Sequence, residues 1–293
     1  MPERILTLVE GRDKATKAIG DIKRAAEARG WGFRRLVRLS AADVAEDNYE
    51  NVFSDYVMWR ALSNNSDIED ARVKYWLKKS GKVCLNAGAV GGRIYANDKF
   101  FQHGILRQAV PGHVLPAYMV RNKEQVLKYV GEGRVQWPVV LKPRYGSVGK
   151  GIVLIRGEKD LERYTGLWQG MMMEQYVKAE YDWRVFVIGG EMIVAMRKTG
   201  REGDFESWSS GVERAKEEDP EVLKILAELA IKSAEDAGLE YTGVDIVRSE
   251  GQYYVLETNV SAGWQNRVLE TTGVSIPDEI MKWFEKQAEQ REA

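Results

Sequence analysis

The stretch "VVLKPRYGSVGKGI" occupies residues 139–152, and the fold turns on how it is read. An apolar run at 139–141 leads into Lys142. Three glycines, Gly146, Gly149 and Gly151, then surround Ser147 and Lys150 before "IVLI" resumes at 152–155. A Walker A phosphate loop needs G-x-x-x-x-G-K-[ST] between a strand and a helix. Here Lys150 is followed by Gly151, so the magnesium-binding hydroxyl is missing, and Arg144 stands where the first glycine belongs. The residues that follow read as a strand, so no helix N-terminus is available to the phosphates. What remains is a strand–glycine loop–strand hairpin, whose tip lets backbone N–H groups approach phosphates closely. Taken alone, the stretch is better read as a surface hairpin with an outward-facing Lys142.

The whole chain has an ordinary globular composition. Its 293 residues are 44% hydrophobic and 30% charged, enough for one large domain or a few small ones. Lys and Arg total 43 against 44 Asp and Glu, which argues against bulk attraction to nucleic acid or membrane. The single cysteine, Cys84, builds no disulfide framework and fits a reducing compartment. The opening "MPERILTLVEGRDK" carries too short an apolar run for a signal peptide. No segment reaches the ~20 apolar residues of a membrane span. A cytoplasmic protein is expected.

The pattern changes along the chain. Strands at 4–9, 33–40, 54–61 and 82–86 alternate with helices at 12–30 and 67–81, which predicts a parallel sheet with helices on its faces. Further on, helices are predicted at 97–110, 122–132 and 158–166, and strands at 116–120, 138–143 and 151–155. Strands at 171–177, 182–190 and 191–200 then lie close together, with Gly189-Gly190 as a hairpin turn. A long helix follows at 220–237, then two strands over 242–260 joined at Glu250-Gly251, and a final helix at 277–290. The class is α/β passing into α+β. The expected units are 1–94, 95–168 and 169–293.

A second constellation lies near the C-terminus. Asp245 stands within "GVDIV", and Glu257 and Asn259 within "VLETN". Residues i and i+2 of a strand share a face, so Glu257 and Asn259 point the same way and Asp245 can join them from a paired strand. Two carboxylates and an amide oxygen make a hard-oxygen site suited to magnesium on nucleotide phosphates. Polar residues on a solvated sheet face would give the same pattern.

In order and spacing, "NDK" (97–99), the 139–152 stretch, "MEQYV" (173–177), "DWRVFVIGGEMIVAM" (182–196), "GVDIV" (243–247) and "ETNVSAG" (257–263) resemble an ATP-grasp ligase. The likeness is to RimK-like glutamate ligases and the related amino-group ligases of lysine biosynthesis. It covers about residues 95–285, and the preceding segment matches generically as a Rossmann-like pre-ATP-grasp α/β domain. The resemblance implies that Lys99 and Lys142 contact ATP phosphates beneath a lid made by Gly146, Ser147, Gly149, Lys150 and Gly151. It implies that Glu174, Gln175, Tyr176 and Val177 border the adenine, and that Asp182 meets the ribose. It assigns Asp245, Glu257 and Asn259 to two magnesium ions, with manganese as an alternative. The implied reaction activates a carboxylate as an acyl phosphate and captures it with an amine. Its partners would be an amino acid and a carboxylate-bearing small molecule, peptide or protein C-terminus; a homo-oligomer would fit the family, and neither nucleic acid nor membrane is expected.

One segment departs from the family pattern. In "GDFESWSSGVER" (203–214), Glu206 stands where an arginine is expected and Trp208 where an asparagine is. Arg197, Lys198, Arg201 or Arg267 would replace the missing cation, and Trp208 and Trp264 would line a substrate pocket. A phosphotransferase of the same fold and a non-catalytic nucleotide-binding module are the competing readings. His103 and His113 read as incidental.

Overall fold

Strand β1 (Ile5–Glu10) alternates so that Leu6 and Leu8 turn to one face and Val9 to the other, and all three are fully buried. It pairs in parallel with β2 (Gly32–Val37) and with β3 (Tyr56–Trp59), and β3 pairs in parallel with β4 (Val83–Leu85), in the order β2-β1-β3-β4. Parallel neighbours need a crossover. Helix α1 (Lys17–Glu27) supplies one and buries Ile19, Ile22, Ala25 and Ala26. This is the arrangement that the strand–helix alternation predicts. These details come from a computed structural model that describes residues 4–10, 17–37, 52–60, 75, 77, 79–86, 98–146, 149–199 and 213–293. Asp13, Asn97, Ser147, Arg201, Glu206 and Trp208 lie outside the described residues.

Helix α2 (Lys99–Ala109) begins at Asp98, whose carboxylate accepts from the Phe100 and Phe101 N–H groups at 3.0 and 3.2 Å. The next sheet is antiparallel, in the order β5-β8-β6-β7, with β5 Ala117–Val120, β6 Val139–Pro143, β7 Val153–Ile155 and β8 Met171–Gln175. Helices α3 (Lys123–Gly131) and α4 (Glu158–Arg163) cover one face, where Val139, Leu141, Met171 and Met173 meet Val126 and Leu161. The pleat therefore turns Lys142 and Glu174 to the other face. The outgoing strand starts at Val153 rather than Gly151. Gly149 and Gly151 have φ of +69° and +77°, a left-handed backbone that belongs to the turn.

The third sheet is antiparallel, in the order β11-β10-β9-β12-β13. Its strands are β9 (Tyr181–Ile188), β10 (Glu191–Thr199), β11 (Glu213–Lys216), β12 (Tyr241–Ser249) and β13 (Gln252–Asn259). Gly189-Gly190 turns the first hairpin with φ of +59° and +79°. Helices α2 and α5 (Pro220–Asp236) pack on one face, joining Leu106, Leu226, Leu229 and Ala230 to Trp183, Val185, Val187, Val244 and Ile246. The other face is divided. At one end Phe186, Ile188 and Tyr241 share a core with the parallel sheet and with Ile280, Met281 and Phe284 of α7 (Ile276–Glu292). At the other end it carries charges.

Two elements went unread in the sequence. Strand β11, "ERAK", has no apolar alternation and forms by pairing with β10. Helix α6 (Gln265–Thr272) starts at Trp264 with no side-chain cap, so the usual start signal is missing.

Candidate active site

The charged end of the third sheet is built by register. Asp245 on β12 lies opposite Glu257 on β13 and opposite Arg184 on β9; Lys198 on β10 lies opposite Asp182 on β9 and Arg214 on β11. Arg184 grips Asp245 through both guanidinium branches, Nε to Oδ1 at 2.8 Å and Nη2 to Oδ2 at 2.6 Å. Asn259 Nδ2 donates to Asp245 Oδ2 at 3.1 Å, and Lys198 Nζ lies 3.2 Å from Asp182 and 3.8 Å from Asp245. Lys99 Nζ reaches Glu257 Oε2 at 2.7 Å. The sequence thus placed Asp245, Glu257 and Asn259 on one face, and the structure brings Lys198 and Asp182 to it.

These contacts tune the charges. Burial pushes the Asp245 carboxyl up, but the Arg184 and Lys198 charges outweigh it and hold Asp245 below the usual carboxylate range. The Asp245 charge in turn raises Arg184. Asp182 goes the other way: burial is the larger cause and pushes it up to about 6, with Lys198 opposing. Its Oδ1 is buried with no hydrogen-bond partner among the described residues. Burial lowers Arg214, and the neighbouring Arg267 and Arg184 charges lower it further. Cations therefore crowd this face: Lys99, Arg184, Lys198, Arg214 and Arg267 meet Asp182, Asp245 and Glu257. Such an excess favours a polyanionic ligand.

The glycine hairpin is tied to this cluster through the head of α2. The Lys99 N–H donates to the Arg144 carbonyl at 2.9 Å, while its side chain holds Glu257. Arg144 binds Asp98 through Nε at 3.1 Å and through Nη2, and Tyr145 donates to the same carboxylate at 3.3 Å. Burial pushes Asp98 up, but the bonds from Arg144 and from the Phe101 and Phe100 N–H groups hold it below the ordinary value. The base of the lid is therefore fixed. Its tip is exposed at Gly149 and Lys150.

Lys142 is buried, with Nζ 2.7 Å from Glu174 Oε1. A buried pair of this kind needs additional partners to offset its desolvation, which suits a lysine that also meets a ligand. The Gln175 side chain serves the framework instead: its oxygen accepts from the Gln136 N–H at 2.8 Å and its nitrogen donates to the Tyr176 carbonyl at 2.9 Å. Tyr176 N–H donates to the Pro138 carbonyl at 3.4 Å. Val177 is half-buried just beyond β8.

Arg197 is not brought to the cluster. It stands one residue from Lys198 and so on the opposite face, 3.6 Å from Glu217 and stacked over Tyr181 at 5.3 Å. Trp264 is buried beneath Arg60 and against Tyr241 rather than opening a pocket. His103 Nε2 donates to the Leu115 carbonyl at 2.6 Å, and His113 Nδ1 lies 2.8 Å from the Tyr253 carbonyl, so both are framework contacts. Burial pushes the Cys84 thiol up, away from thiolate chemistry.

The sequence reading missed Arg184, although "DWR" puts it at i+2 from Asp182 on one strand face, and that spacing was the available signal. It also missed Arg214, which stands on a strand with no apolar pattern. Asp245, Glu257 and Asn259 offer hard-oxygen donors close together, and a divalent cation would compete there with Arg184 and Lys99. Among the described residues no three His, Cys, Asp or Glu side chains converge as metal ligands, so Asn259 would supply the third oxygen. The donor set fits magnesium, which keeps part of its shell for water and phosphate.

A glycine hairpin from one antiparallel sheet, tied to a cation-rich face of another, is the arrangement the resemblance to ATP-grasp proteins implies. The match to the RimK-like ATP-grasp domain over residues 96–284 shows that the chain belongs to that family. It is 33% identical over 159 residues to a probable alpha-L-glutamate ligase of Citrobacter koseri, covering 52% of this chain and 51% of the relative. It is 31% identical, with the same coverage, to the ribosomal protein bS6–L-glutamate ligase of Escherichia coli O7:K1. The chain thus spans about half the length of the curated relatives it matches. The fold is similar to that of the ATP-grasp ligase PsnB bound to a minimal precursor, Mg and ADP (TM-score 0.70, 21% identity, 96% of each chain). It is also similar to D-alanine–D-alanine ligase from Bacillus anthracis (TM-score 0.67, 16% identity, 99% of this chain and 100% of that one). No helix among the described residues is long and apolar enough to cross a membrane.

Proposed function

We propose that the protein is an ATP-dependent carboxylate–amine ligase that joins an amino acid, with glutamate as the first candidate, to a carboxylate-bearing peptide or protein. The observation that carries this reading is Lys99, which joins the lid base at Arg144 to the acidic set at Glu257. Lys99 and Lys142 neutralise ATP phosphates under the lid, with Gly146, Ser147, Gly149, Lys150 and Gly151 closing over them. The segment from Glu174 to Val177 borders the adenine, and Asp182 meets the ribose. Two magnesium ions, held by Asp245, Glu257 and Asn259, would neutralise charge on the phosphates. The names of the relatives support glutamate. A division at about residue 95 sets the parallel sheet apart, whereas one at 168 separates β8 (Met171–Gln175) from β5 and β6, with which it pairs.

The chemistry follows from charge. The acceptor's carboxylate oxygen attacks the γ-phosphorus, the bond from the γ-phosphorus to the β–γ bridging oxygen breaks, and ADP leaves. The amine then attacks the acyl carbon, phosphate departs and the amine loses a proton. Arg184 and Lys198, released from Asp245, steady the negative charge of both steps, and Lys198 or Arg267 would supply the cation that Glu206 replaces. This is catalysis by positioning and electrostatic preorganisation, with no protein nucleophile. Purified protein with ATP, magnesium and glutamate is expected to release phosphate only when an acceptor carboxylate is present, and hydroxylamine is expected to trap a hydroxamate. Phosphate transfer without hydroxamate would turn the reading to a phosphotransferase, and nucleotide binding without turnover to a binding module.

A further inference from the structure

Arg60 follows β3 at the C-terminal end of the parallel sheet, on the side where open α/β sheets hold their ligands. Its guanidinium lies over the Trp264 ring at 4.2 Å. The Arg60 Nε and Nη1 atoms are buried with no hydrogen-bond acceptor among the described residues, and so is the Trp264 indole nitrogen. A guanidinium shielded from water and given no anion is costly unless an anion arrives. Nε and Nη1 lie on opposite edges of the guanidinium, so a carboxylate pairs bidentately with one of them together with Nη2, and the indole face behind holds the group in one plane.

The surroundings are rigid. The Arg60 N–H donates to the Val9 carbonyl at 3.0 Å, and Ser261 Oγ donates to the Arg60 carbonyl at 3.0 Å. The loop that carries Ser261 and Trp264 is pinned in turn. Tyr241 Oη donates to the Ala262 carbonyl at 2.5 Å, and Asn86 Nδ2 donates to the Val260 carbonyl at 3.2 Å. A Cβ on Gly243 would meet Ala262 Cβ at 2.9 Å, so only glycine lets the loop sit this close. The loop follows directly on Asn259. Ser261, which holds the Arg60 carbonyl, stands two residues beyond Asn259, which donates to Asp245, so the Arg60 cradle borders the cluster.

We propose that Arg60, backed by Trp264, is the subsite for the free carboxylate of the amine-bearing substrate, an amino acid. The proposal rests on the ligase reading and names the substrate group it holds. A carboxylate that must not be activated has to be kept away from the phosphates. Arg60 comes from the parallel sheet, whereas Lys99, Arg184 and Lys198 belong to the phosphate-facing cluster.

The test is calorimetric. Each of the twenty amino acids, and the α-carboxamide of every one that binds, is titrated into protein loaded with magnesium and a non-hydrolysable ATP analogue. The native protein is expected to prefer an acid over its amide by about 10-fold or more. Arg60→Gln is expected to erase that preference while nucleotide affinity stays within about 2-fold, with Arg60→Lys, which keeps charge but loses the fork, between the two. An acid-over-amide preference that survives Arg60→Gln overturns the proposal, as does inorganic phosphate displacing the acid from the native protein. Nucleotide binding with no amino-acid binding overturns it too. A native protein that fails to bind nucleotide breaks the ligase reading instead. The Trp264 indole resonance, assigned with Trp264→Phe, then reads the subsite without nucleotide: a shift with acids and none with amides sustains it, and no shift overturns it.

Discussion

Strand β9 has two faces with opposite tasks. Trp183, Val185 and Val187 lie on one, sealed by α5, and each adds about 1.5–3 kcal/mol by leaving water. Asp182 and Arg184 lie on the other, followed by Phe186 and Ile188, which return to apolar packing against the parallel sheet. The comparison shows how the sheet holds charges out of bulk water. One face and half of the other supply the apolar burial, and the remaining half-face carries carboxylates and cations in register. The arginines of neighbouring strands divide in the same way, with Arg184 on Asp245 and Arg197 over Tyr181.

The largest effect is expected at the carboxylates proposed to hold magnesium. Asp245→Asn and Glu257→Gln are each expected to lower phosphate release by about 10³-fold or more, since the donor oxygens are lost while shape is kept. Near-native turnover in both variants would remove the metal assignment. The paired arginines sharpen the comparison: Arg184→Gln is expected to lower kcat by about 10²–10³-fold, and Arg197→Gln by less than about 10-fold. Equal losses would mean that the face is not what separates them. The apolar face is tested by Leu226→Ala under α5, where a cavity at a fully buried site is expected to lower unfolding free energy in urea by about 3 kcal/mol. Activity of the folded fraction should be unchanged, and a matching loss of activity would tie the two faces together.

The smallest effect concerns pH. Burial chiefly raises Asp182 to about 6 in the folded protein, from the ordinary 3.8. The folded state therefore binds the proton more tightly than the unfolded chain. Its contribution to stability is present at low pH and is lost as pH climbs from about 4 to about 6. The melting temperature of the native protein, measured against Asp182→Asn, is expected to fall across that window and to level off above it. A flat difference would mean that Lys198 cancels the burial.

Much of this was legible in the sequence, for identifiable reasons. Asp245, Glu257 and Asn259 could be placed on one face because strand periodicity is strictly two, and Glu250-Gly251 marked the turn of their hairpin. Lys142 could be assigned to the lid's incoming strand but not to Glu174, because that partner comes from β8, 32 residues on. Arg197 and Lys198 could not be told apart, since a one-residue step reverses the face and the register is set by β9 and β11. Arg214 was invisible because β11 is made by pairing rather than by its own pattern.

By itself the sequence determined the elements other than β11 and α6, the glycine hairpin and the ordered motifs, because these rest on local backbone preference and on periodicity. Only the tertiary structure decided which cation meets which carboxylate. Arg184 reaches Asp245 from 61 residues away, and Lys99 reaches Glu257 from 158. It also decided that Arg60 stacks on Trp264, with no acceptor for its Nε and Nη1 among the described residues. Such contacts depend on how sheets pack, and packing is a property of surfaces that no single stretch of chain carries.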